Sequence, residues 1–79
     1  MSYEVEIYDE SEVPEDVAAL IEKAFETKGV SRDDFCFCQY LEGYGSRSAS
    51  YEHKQNEDIT FYIEWSEDME LTECEVTED

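Results

Sequence analysis

The chain has 79 residues, 41% of them hydrophobic, and a formal net charge of −18 from 23 acids against five bases. That length allows one domain, residues 1–79, with a modest core, and a charge of this size opposes compaction through self-repulsion. It also excludes direct nucleic-acid binding, which needs clustered Lys and Arg to meet phosphates, whereas six Tyr, four Phe and one Trp exclude a disordered acidic tail.

In chain order, Ser2 to Tyr8 alternate. Tyr3, Val5 and Ile7 form one face and Glu4, Glu6 and Tyr8 the other, which predicts a half-buried strand with a charged outer surface. A helix from about Pro14 to Lys28 follows. Pro14 suits the first helical turn, Glu15 and Asp16 complement the positive N-terminus, and Gly29 sits where a left-handed cap is needed. Val17, Leu20, Ile21, Ala24 and Phe25 fall on one stripe, and Phe25 and Val30 occupy the positions that touch in a Schellman cap. Ser31 and Asp34 suggest a weakly capped single turn.

"FCFCQYL" predicts a strand with Phe35, Phe37 and Leu41 on one side and Cys36, Cys38 and Tyr40 on the other. With both faces apolar, it is expected to be central or covered on both sides. Gly43-Tyr44-Gly45-Ser46 is a turn, and "RSASYEHK" returns with Ala49, Tyr51 and His53 on one face. After a polar turn, Ile59, Phe61, Ile63 and Trp65 alternate with Thr60, Tyr62 and Glu64 in the most strand-like run of the chain. "MELTECEV" slips parity between Met69/Leu71 and Cys74/Val76, so a bulge is expected near Thr72 and Glu73, a short helix capped by Ser66 being the alternative. The expected fold is α+β: a single antiparallel sheet of four to five strands with one α-helix packed on one face, in the order β-α-β-β-β-β.

Catalysis and metals find little support. His53 is the one histidine and stands on a hairpin strand, and an acidic field raises thiol pKa values, which disfavours a cysteine nucleophile. Cys36 and Cys38 read better as small core residues. A zinc site from Cys36, Cys38, Cys74 and His53 has suitable ligands but poor spacing, because Cys-x-Cys on a strand is worse tetrahedral geometry than a Cys-x-x-Cys turn. The expectation is no enzyme, no metal and no cofactor. Three cysteines, an odd count, with Cys36 and Cys38 about 6.6 Å apart on a strand, suggest free thiols in a reducing compartment. With no run near the ~18 apolar residues of a membrane span and no basic-then-apolar signal region, the chain is expected to stay in the cytoplasm.

The charge is unevenly placed. Met1 to Glu22 and Gln55 to Asp79 contain acids and no base, while Lys23 to Lys54 balance to zero. Strand carboxylates two residues apart lie ~6.6 Å apart on one face, comparable with two ~3.4 Å rises along a nucleic-acid strand. A folded array of this kind can meet the Lys and Arg of a basic groove where phosphates would stand. The residues expected at that contact are Glu4, Glu6, Tyr8, Asp9, Glu10, Glu12, Glu15 and Asp16 from the first segment. Tyr62, Glu64, Glu67, Asp68, Glu70, Glu73 and Glu75 come from the last. If the two end strands are neighbours, they merge into one continuous negative face.

In size, in its lone capped helix and in acid-only ends such as "YEVEIYDESEVPED" and "EWSEDMELTECEVTED", the chain resembles small acidic phage proteins that act as DNA mimics, among them anti-CRISPR and anti-restriction inhibitors. The resemblance implies a basic nucleic-acid-binding partner, such as a CRISPR effector or restriction complex, in a host-cell cytoplasm. The marginal core size separately suggests a monomer or a weak homodimer paired through the neutral Phe35 to Tyr51 segment. Other readings of the charge are an acidic adaptor or small subunit of a basic complex, and a halophile-adapted domain. Sixteen Glu against seven Asp, three cysteines and a neutral middle argue against the last.

Overall fold

A computed structural model of the protein describes residues 3–78. Its elements are β1 (Val5–Ile7), α1 (Glu15–Lys28), β2 (Phe35–Gly43), β3 (Ser46–His53), β4 (Asn56–Ser66) and β5 (Leu71–Glu78). Short 3-10 turns precede α1 and β2. The strands form one antiparallel sheet in the order β1-β2-β3-β4-β5, as expected for an α+β fold with one helix. Among the described residues, no helix is long and apolar enough to cross a membrane.

Helix α1 begins one residue after Pro14 and ends where Gly29 turns left-handed at φ 78°. Val30 N–H donates to the Phe25 carbonyl at 3.2 Å and Gly29 N–H to that of Glu26 at 3.2 Å, the paired bonds of a Schellman cap. The helix buries Val17, Ile21, Ala24 and Phe25 against Tyr40, Ala49, Tyr51, Phe61, Ile63 and Trp65 of the sheet. Phe25 is the centre of this layer, with ring centroids 4.6 Å from Phe61 and 5.0 Å from Tyr51. Arg32 closes one side of it. Its guanidinium lies 4.7 Å from the Tyr51 ring centroid, donates to the Phe35 carbonyl at 3.1 Å and pairs with Glu10.

Two bulges decide which residues face the helix. At Thr72, where parity predicts one, Glu64 pairs with Glu73 and Trp65 with Leu71, so the extra residue returns Leu71, Cys74 and Val76 to a common face. The Thr72 hydroxyl donates to the Glu64 carbonyl at 3.0 Å, supplying a donor where the ladder is interrupted. The second bulge, at Cys38, was not expected. It turns Tyr40 to the helix side, where it is fully buried beside Trp65, and Leu41 to the other side. This reverses the expected placement of both.

β2 is inside the sheet, between β1 and β3, but the helix covers one of its faces only. Cys36 is therefore exposed and Cys38 half-buried, so neither is a core residue. The end strands are not neighbours: β1 and β5 form opposite edges of the sheet. β1 is held at its edge because Gly43 lets the chain pass close by. A Cβ there would stand 3.3 Å from the Glu4 nitrogen, whose N–H donates to the Glu42 carbonyl at 2.8 Å.

Candidate partner-binding surface

The sheet face away from α1 is uncovered, and its composition follows from register. Pairing across all five strands aligns Glu6, Leu41, Ser48, Glu64 and Glu73 in one row. The next row is Gln39, Ser50, Tyr62 and Glu75, and a third contains Cys36, Glu52, Thr60 and Thr77. No Lys or Arg occupies these positions; Arg47 lies on the helix side, paired with Glu42 and donating to the Tyr40 hydroxyl at 3.1 Å. That hydrogen bond holds Arg47 charged beyond its ordinary range, with smaller help from Glu42 and Asp16.

The acids form two rims, and the strip between them is uncharged along the first two rows and carries Glu52 in the third. Glu6 marks the β1 rim, and Glu64, Glu73 and Glu75 the β4–β5 rim, about three strand spacings or ~14 Å away. Leu41, Gln39, Ser48 and Ser50 fill the strip. Its width is of the same order as the ~12 Å major groove between two phosphate backbones. Within the second rim, Glu64 and Glu73 stand directly opposite one another, a like-charge pair that opposes strand pairing.

Each rim has a tyrosine bound to a glutamate two residues away. Tyr8 donates to Glu6 at 2.9 Å, and Tyr62 donates to Glu64 at 2.8 Å. Burial, then the Glu64 hydrogen bond and charge, push Tyr62 up to about 12; the Glu6 hydrogen bond raises Tyr8. Both phenols therefore remain neutral donors and hold their carboxylates in place.

The other predicted contact residues are dispersed. Asp9 caps the first 3-10 turn, accepting from the Ser11 N–H at 3.0 Å, a bond that lowers its pKa. Glu10, in that turn, is claimed by Arg32, and Glu12 ends it. Glu15 and Asp16 occupy the first turn of α1, so they belong to the helix layer and not to the open face. Glu67, Asp68 and Glu70 lie in the β4–β5 connection. Glu67 and Glu4, from the two acid-only ends, line one shallow cleft beside Gly43 and Arg47. Convergence of the ends is thus confined to this corner. The sequence reading missed Glu52, which sits in the charge-balanced middle segment; the Ser48-Ser50-Glu52 alternation was the available signal.

The zinc ligands considered from sequence are not assembled. Cys74 faces α1, donating to the Ala24 carbonyl at 3.4 Å, whereas Cys36 pairs with Glu52 on the open side. His53 packs edge-on against Phe35 and accepts the Gln55 N–H at 3.1 Å. Burial raises the Cys38 and Cys74 thiols, and Glu52 adds to the effect at Cys38. No protein-family model matches the chain, and no curated protein or solved structure matches it either.

Proposed function

We propose that the protein is an acidic nucleic-acid mimic that occupies the basic DNA- or RNA-binding surface of a partner and blocks it. One observation carries this reading: on a sheet face without Lys or Arg positions, Glu64 and Glu73 are held directly opposite each other, and Tyr62 is bound to one of them. Such an arrangement opposes folding and is satisfied by an external cation. Lys and Arg of a groove would bridge the rim carboxylates, and the strip of Leu41, Gln39, Ser48 and Ser50 would lie over the groove floor. The rim tyrosines supply aromatic contacts of the kind specific interfaces favour. A CRISPR effector or restriction nuclease in a host cytoplasm is the partner class that the acid-only ends suggest.

The test is inhibition of nucleic-acid binding by such a nuclease at about 50 mM salt. Inhibition should fall steeply by about 200 mM salt, and excess duplex should compete. Glu73→Lys with Glu75→Lys should weaken it at least tenfold, about 1.4 kcal/mol, while circular dichroism stays unchanged. Inhibition that survives the double reversal in a folded protein would sink the proposal.

A further inference from the structure

The two edges of the sheet are unequal. β1 pairs over three residues, but β5 runs for eight, Leu71–Glu78, and no described strand pairs with its outer side. At ~3.4 Å per residue this leaves ~27 Å of backbone whose alternate N–H and C=O groups point outward. Every residue of β5 except Cys74 is exposed. Its two faces differ. Glu73 and Glu75 project on the open side, whereas Leu71 and Val76, 39% and 37% exposed, project on the helix side with Cys74.

We infer that this edge is a docking site for an extended basic segment of the partner, one that alternates Lys or Arg with apolar residues and adds a sixth strand to the sheet. The inference rests on the proposed function and specifies how the partner is gripped. Charge selects the occupant. A second copy of β5 would bring Glu to Glu, which like charges across a strand pair disfavour, so the edge rejects its own kind. A strand with basic residues on the open side meets Glu73 and Glu75. Its apolar residues rest on Leu71 and Val76 and reach the cleft that Leu20, Ala24, Trp65 and Met69 line beside Leu71. Lys23 and Glu70 both line this cleft, Lys28 lies near Cys74, and Glu78 ends the strand on the helix side. That side therefore carries both signs, and the basic row is selected by Glu73 and Glu75 on the open side. Backbone pairing supplies affinity, and the alternation supplies specificity.

The probe is a synthetic octapeptide of alternating Lys and Val, compared with a block peptide of four Lys then four Val. Two backbone N-methylated versions, each methylated on one alternate set of residues, complete the series. Hydrogen exchange followed by NMR should show outward-facing β5 amides slowed at least tenfold by the alternating peptide. The block peptide should bind at least tenfold more weakly, and only one of the methylated versions should lose binding. Equal binding by all four, or protection elsewhere on the sheet, overturns edge docking while leaving an acidic surface for basic partners intact. Absence of binding by every peptide, with charge-sensitive nuclease inhibition still present, also overturns it. The converse result, β5 protection without nuclease inhibition, upholds the edge and removes the mimic reading.

Discussion

Tyr62 shows how a single side chain serves both fold and surface. Its ring lies between Ser50 and Glu75 in register, and its hydroxyl orients Glu64. Because its folded pKa, about 12, lies above the ordinary 10.0, its contribution is fully present below pH 10 and lost as pH rises towards 12. Tyr40 and Tyr51 are also raised, mainly by burial, so alkaline unfolding should be steep in that window. Absorbance titration of the phenolates should show that Tyr62→Phe removes one late-ionising step. At pH 7 that variant should lose no more than about 1 kcal/mol, the worth of one hydrogen bond. Arg32 makes the contrasting case. Sequence placed it only in a turn before β2, because nothing local announces that Glu10, Tyr51 and the Phe35 carbonyl converge on it. Arg32→Ala should cost about 2–4 kcal/mol in urea unfolding, summed from a part-exposed cation–π contact and a hydrogen bond to a charged group. Arg32→Lys should recover part of this at most, since an ammonium lacks the planar fork.

At the scale of elements, legibility followed from how strongly each residue prefers one environment. α1 was readable because Pro14, the apolar stripe and Gly29 agree, and the Thr72 bulge because Leu71 and Val76 both need the helix side. The Cys38 bulge was not, because Cys36, Cys38 and Tyr40 are all tolerated on either face. Edge order was illegible for a related reason: pairing β1 with β2 or with β5 satisfies the same alternation, and only the closed packing chooses. The bulge has a testable consequence. Phe37 pairs with Tyr51 and Gln39 with Ser50, so deleting Cys38 leaves a regular ladder with Tyr40 still facing inward. That deletion should retain the fold, with urea stability lowered by no more than about 1–2 kcal/mol. Deleting Ser50 should unfold the protein, because either Ala49 or Tyr51 is driven out of the core it fills.

For the whole molecule, a net charge of −18 is shared between two rims, one corner and acids dispersed over the helix layer and the connections. The Debye length falls from ~30 Å at 0.01 M salt to ~8 Å at 0.15 M, below the ~14 Å between rims. Sodium chloride should therefore raise the thermal midpoint over that range by roughly 5–10 °C, about 1–2 kcal/mol for a domain of this size, and then level off. A halophile-adapted domain would instead need molar salt to fold. Screening cannot relieve Glu64 against Glu73, about 5 Å apart across one strand pair. There the demands of stability and of the proposed partner binding oppose each other. Glu73→Lys alone replaces a like-charge pair by an opposite one and should stabilise the fold by about 0.5 kcal/mol in urea unfolding. The same variant should bind the nuclease more weakly, because a cation now stands where the partner's own Lys or Arg must approach. A variant that is more stable yet a poorer inhibitor would show that the acid at this position serves recognition at the expense of the fold. A variant that is more stable and equally inhibitory would move the contact away from the β4–β5 rim.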